Sequence, residues 1–240
     1  MGETREVIAK FLQRFAAPVA LGSFWGGMTA AAHAYPGGYD WPYQTISVLL
    51  YSDQNPHGYV WAWAGLELCG LAGFGWATAL DRVLGSTHEG RRAPGLLLLQ
   101  LGFLCMCCAV LPDRLLPLPK GHELFAILAF LGVCIGMTCQ MWVNAASPEA
   151  RRLGEGSARP RSLLSGITAL LPLVPMVFAA LTQAYLTLER PDLPWVNPSW
   201  RTRGISPLLS FGLWEWISSA ALTIALLAIW SHRRNAVDRH

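Results

Sequence analysis

Six long apolar stretches divide this chain, at 15–34, 58–80, 94–112, 123–145, 162–186 and 206–230. Each is close to the ~20 residues that a helix needs to cross a bilayer, so the pattern predicts six transmembrane helices. Four carry no charge between their ends, whereas Glu67 interrupts the second and Glu215 the sixth. The connections are short. The longest, 35–57 and 187–205, leave no room for a soluble domain. The expected architecture is therefore all-α, with a single membrane domain over 1–240 folded as a compact six-helix bundle.

Composition sharpens that reading. Of 240 residues, 53% are hydrophobic and only 14% charged, against about 25% charged in a soluble domain. Mean hydropathy is +0.35. These values exclude a water-soluble globule, a disordered tail and a nucleic-acid-binding domain, despite a pI of 8.6. Most of the 18 basic residues lie in the N-terminus, the 81–93 and 146–161 connections and the C-terminal tail. The other connections hold only Arg114, Lys120, Arg190, Arg201 and Arg203. The positive-inside rule then places both termini in the cytoplasm. Only Lys10 and Lys120 are lysines, the arginine bias of a GC-rich bacterial genome, so the expected location is a bacterial cytoplasmic (inner) membrane. Arg14, the following apolar run and Ala32-His33-Ala34 resemble a secretory signal with its cleavage site. The run is longer than a usual signal core, and an uncleaved first helix is expected.

Lipid tails are as apolar as leucine, so membrane helices associate through close backbone approach. Small residues predict the seams: Gly22, Gly26, Ala30 and Ala34 on the first helix, Gly65, Cys69, Gly73 and Ala77 on the second, Gly132 and Gly136 on the fourth. Pro172 and Pro175 predict a kink in the fifth helix. Trp41, Trp61, Trp195, Trp200 and Trp230 fall near span ends, as interfacial anchors do. The cysteines all lie within predicted spans and suit packing better than a disulfide framework.

Candidate chemistry concentrates in two places. His33, Asp40, Asp53, His57, Asp113, His122 and Glu123 belong to the outer ends of helices or the outer loops. Such residues could bind a metal or act as acid and base, with Asp113 and His122 the catalytic candidates and His33, His57 and His122 the metal candidates. The spacing contains no H-E-x-x-H, and His122 and Glu123 diverge by about 100° around a helix. No metal or other cofactor is expected. Helix capping and loop hydrogen bonds are the structural alternative for these residues. Glu67 and Glu215, each about ten residues inward from the outer start of its helix, are the second place. A mid-span carboxylate is costly and normally faces a partner, a cavity or a pathway. No basic residue lies at their depth. Glu215 forms a stripe with Ser218, Ser219 and Gly212, so Glu67, Glu215, Ser218 and Ser219 are the candidate ligand-binding residues. A carboxyl hydrogen-bonded within the bundle is the alternative.

Short outer motifs carry a resemblance. Tyr39-Asp40-Trp41-Pro42, then Thr45-Ile46-Ser47, Pro56 and a following helix resemble the first loop of the DUF998 family of six-helix membrane proteins. Leu111-Pro112-Asp113 followed by Gly121-His122 is similar to that family's F-P-x-D turn and its histidine. Val48 replaces the acidic residue that usually follows the serine, and a second histidine often found nearby is absent. The resemblance implies the six-helix fold; the family's function is unassigned, and no activity transfers. Three functions follow as expectations. The first is a non-catalytic accessory or scaffolding subunit of a larger membrane assembly, with other membrane subunits as partners. The second is a binder or carrier of a lipid or other apolar ligand in a cavity reached from the outer leaflet. The third is an outer-face metal-dependent hydrolase.

Overall fold

The computed structural model describes residues 2–85, 94–111, 121–146, 170–171, 173–189 and 200–237. They form six helices: α1 (Gly2–His33), α2 (Tyr59–Gly85), α3 (Pro94–Ala109), α4 (Gly121–Ala146), α5 (Leu173–Glu189) and α6 (Phe211–Val237). Short 3-10 turns stand at Ile46–Leu50 and Pro207–Leu209. No strand occurs among the described residues. Two helices, α4 over Gly121–Trp142 and α6 over Phe211–Ser231, are long and apolar enough to cross a membrane. Helices α3 and α5 are apolar but have only 16 and 17 residues. The beginning of the predicted fifth span, with Pro172, lies outside the described residues. Pro175 falls in the first turn of α5, where a missing N–H disturbs nothing, so it starts a helix rather than kinking one.

Glycine decides which helices pair. A Cβ on Gly27 would stand 2.6 Å from the Trp61 carbonyl oxygen and 2.7 Å from the Gly65 Cα, so α1 and α2 meet backbone to backbone. A Cβ added to Gly22 or Gly26, the two glycines of the expected seam of α1, would have nothing within 4 Å; the glycine contact lies instead at Ser23 and Gly27. Helices α3 and α4 pair in the same way. A Cβ on Gly102 would lie 2.6 Å from the Val133 nitrogen, and one on Gly136 would lie 2.8 Å from the Gly95 carbonyl oxygen. The expected Gly132–Gly136 seam is present, with α3 supplying its partners. Helix α2 joins the two pairs: Gly73 receives the Phe103 ring, and Trp63 donates to the Val110 carbonyl. Helix α5 packs on α6, and α6 touches α1 and α4 more sparingly. Trp76, Leu80, Leu99 and Met137 fill one core cluster, while Met28, Leu49, Ala62 and Trp216 fill another.

The connection after α1 is a built element rather than a slack loop. The chain turns through Gly37 and Gly38, whose φ angles of 75° and 91° favour glycine, and then inserts Ile46–Leu50 into the bundle, burying Ile46, Val48 and Leu49. Fully buried Asn55 donates to the carbonyls of Ala31 and Leu49 at 3.1 and 3.3 Å and accepts from the Gly58 N–H at 3.1 Å. Tyr43 donates to the Ile205 carbonyl at 2.7 Å. Arg201 grips both oxygens of Asp40 at 2.7 and 2.8 Å. Trp200 is buried beside Tyr43 and Leu186, and Trp230 donates to the carbonyls of Gln13 and Arg14. Those two tryptophans make internal contacts, and Trp195 lies outside the described residues.

Candidate functional site

The inserted turn ends on a carboxylate. Thr45, at the N-cap of Ile46–Leu50, makes no side-chain cap, which leaves the first N–H of the turn without a local partner. Glu215 supplies one from α6: its Oε2 accepts the Ile46 N–H at 2.8 Å. A residue of the last helix thus holds the first connection in place.

Below this contact lies a cavity of about 130 Å³, lined by α1, α2, α3, α4, α6 and the 46–50 turn. Its lining runs along α4 from His122 to Met137 and along α6 from Glu215 to Leu226, roughly 22 Å and 16 Å at 1.5 Å per helical residue. The walls are apolar, with Phe24, Leu66, Phe103, Met106, Phe130 and Val133 among them. Its polar lining groups are Ser47, next to the Ile46 N–H that Glu215 accepts, His122 at the start of α4, Glu215 itself, and Ser219 and Thr223 one and two turns further along α6. Thr223, a further turn down, is already satisfied, accepting from the Trp25 indole and donating to the Ser219 carbonyl, both at 2.9 Å. Ser219 donates to the Glu215 carbonyl at 3.0 Å.

The Nδ1 of His122 lies 2.6 Å from the Ala109 carbonyl oxygen, which can only accept, so Nδ1 carries a proton and donates. Its Nε2 is buried and has no partner. The Tyr51 ring meets the imidazole edge-on, with centroids 5.4 Å apart.

An aromatic wall stands beside the Glu215 contact. The Tyr39 hydroxyl lies 2.9 and 2.8 Å from the carbonyls of Gln44 and Thr45 and accepts the Trp216 indole N–H at 3.1 Å. Trp41 and Trp25 flank Trp216, with centroids 4.4 and 5.9 Å away. Burial raises the Tyr39 phenol far above its ordinary value, with the Glu215 charge adding to the shift against the opposing Trp216 hydrogen bond. Tyr39 is therefore a neutral strut. Tyr35 is also shifted upward by burial, and the Asp40 contact holds the Arg201 guanidinium charged.

Glu215, Ser219 and His122 line one cavity, and the other expected residues that are described do not. Glu67 does not line the cavity. Leu66 and Cys69 do, while the Glu67 backbone carbonyl accepts from the Cys107 thiol of α3 and its side-chain Oε2 is buried without a hydrogen-bond partner. Ser218 is buried off the cavity, its hydroxyl also unpartnered. His33 and His57 are exposed and do not reach the cavity. Asp113 lies outside the described residues. Among the described residues, no three His, Cys, Asp or Glu side chains are grouped closely enough to hold a metal. Ser47 and the Ile46 N–H were not expected at the site. Their signal was the Thr45-Ile46-Ser47 motif, of which Ile46 and Ser47 line the cavity. No family model, no curated protein and no solved structure matches the chain.

Proposed function

We propose that this chain is a six-span membrane protein of the DUF998 type, with both termini on the cytoplasmic side of a bacterial inner membrane, that binds or carries one apolar chain bearing a polar head. The polar part of this ligand would meet Glu215, His122, Ser47 or Ser219, and its apolar part the surrounding walls. The observation that carries this reading is a mostly apolar cavity of about 130 Å³ with Ser47, His122, Glu215 and Ser219 as the few polar groups besides Thr223 in its lining. The sparse contact of α6 with α1 and α4 supports entry from the side. Ligand pockets in general are apolar with a few placed polar groups.

An accessory role in a larger assembly would use the same exposed apolar helix faces that lipid contact requires, so the cavity is what separates the two readings and favours ligand binding. The metal-dependent hydrolase reading lacks comparable support, because His33 and His57 do not join His122. The test is native mass spectrometry after extraction in a mild detergent, comparing the wild type with Ala129→Trp, which fills the cavity from its buried α4 wall. A retained mass in the lipid range that Ala129→Trp loses is expected. Stoichiometric co-migration with other subunits, without such a mass, would favour the accessory role.

A further inference from the structure

Helix α6 is held to the rest of the bundle in two different ways. At its Trp230 end the hold is deep and apolar. Ala225, Leu226 and Ile229 join the buried cluster of Trp76, Leu80 and Met137, and the Trp230 indole donates to the Gln13 carbonyl at 3.0 Å. At the Glu215 end much of the hold comes from the first connection. In the segment leading into α6, Arg201 donates to both oxygens of Asp40 at 2.7 and 2.8 Å, and the Ile205 carbonyl accepts from Tyr43 at 2.7 Å. Within α6, Glu215 accepts the Ile46 N–H at 2.8 Å, and the Trp216 indole donates to the Tyr39 hydroxyl at 3.1 Å. Gly212 lets the two chains lie against each other, since a Cβ there would stand 2.7 Å from the Gln44 carbonyl oxygen. Trp25 of α1 adds a ring contact to Trp216 and a hydrogen bond to Thr223.

The far part of the same connection is fastened elsewhere. Asn55 ties it to the Ala31 carbonyl of α1 and to the Gly58 N–H just ahead of α2. The connection therefore clasps α6 to the α1–α2 pair. The cavity wall on α6, from Glu215 to Leu226, runs from one hold to the other. The clasp is weakest at the Asp40–Arg201 pair, whose side chains are 27% and 59% exposed, because exposed ion pairs contribute little and are screened by salt.

We propose that residues 39–46 are the latch of a side gate into the cavity. When the latch releases, the Glu215 end of α6 swings away from α1 and α4, and the packed Trp230 end is the hinge. A latch governs entry whatever occupies the cavity, and its test uses no ligand. It can therefore fail while the ligand-binding reading stands.

Cys69 reports on the gate. It lines the cavity and is only 6% exposed, whereas Cys134 is fully buried on α4 and does not line it. Two full-length proteins each keep one of these cysteines and carry alanine at the other five of the six. Modification by N-ethylmaleimide in mild detergent is timed with and without two latch variants: Gly212→Val, and Arg201→Gln combined with Tyr43→Phe. None of these positions lines the cavity. Each variant should speed modification of Cys69 roughly tenfold, the factor that one or two net hydrogen bonds supply, and leave Cys134 unchanged. An unchanged Cys69 rate in monodisperse variants would overturn the latch. An equal rise at Cys134 would overturn it too, because the whole bundle would then have loosened. If Gly212→Val aggregates, the paired variant alone decides.

Discussion

At the scale of single residues, the site depends on atoms that satisfy each other across the chain. The Tyr39 hydroxyl lies against two loop carbonyls and the Trp216 indole. Replacing Tyr39 by Phe removes these contacts and leaves the indole N–H without its acceptor. At ~1 kcal/mol for a net hydrogen bond and about 1–3 kcal/mol for an unsatisfied buried group, Tyr39→Phe should lower stability by about 2 kcal/mol, read as a lower Tm in detergent. The pH dependence has a definite sign. The folded-state phenol titrates above its unfolded value of 10.0, so its contribution is complete below about pH 10 and is lost as pH rises towards the folded value. Melts from pH 8 to 12 should show a loss of Tm in the upper part of this range that is smaller in Tyr39→Phe. An equal alkaline loss in both proteins would mean that Tyr39 is not the strut. Glu215 was legible as a mid-span acid that needed a partner. Its partner, a backbone N–H of a distant turn, was not, because no local pattern records which loop folds back against which helix.

At the scale of elements, the close pairs α1–α2 and α3–α4 are set by glycines on facing backbones. The contrast between neighbouring glycines makes a sharp test. Gly27→Leu would force a side chain into the Trp61 carbonyl and the Gly65 Cα, whereas Gly26 has nothing within 4 Å. Overpacking typically costs about 1–3 kcal/mol, and here the obstacle is backbone, which has little freedom to move. Gly27→Leu should therefore lose monodispersity on size-exclusion chromatography, while Gly26→Leu should elute and melt as the wild type does. The small-residue pattern announced seams on α1 and α4, and the α4 seam stands where expected. On α1 the four-residue spacing of Gly22, Gly26, Ala30 and Ala34 pointed to the wrong stripe, because spacing gives a face but not the angle at which a partner approaches. The inserted 46–50 turn is another element the sequence left as loop; its burial depends on Asn55, Tyr43 and Asp40 finding partners at 31, 205 and 201.

At the scale of the whole molecule, the proposed topology sets the direction in which the cavity faces. If both termini are cytoplasmic, Asp53 and the Glu215 end of α6 face outward. In right-side-out cells, a membrane-impermeant maleimide should label Asp53→Cys without permeabilisation and His240→Cys only after it, with the native cysteines replaced. The reverse pattern would invert the proposal, and labelling of both from one side would remove the six-span reading.

Periodicity, hydropathy and charge placement were enough for an all-helical chain, approximate helix positions, and the few polar residues that stand out against an apolar background, because these are local or additive properties. That Ser47, His122 and Glu215 line one cavity while Glu67 does not, and that His33 and His57 are exposed, was decided only by tertiary structure. The physical reason is rotational. A helix prediction fixes length and spacing, but the glycine contacts that pair α1 with α2 and α3 with α4 fix the angle of each helix about its own axis, and that angle determines which of its side chains faces the cavity.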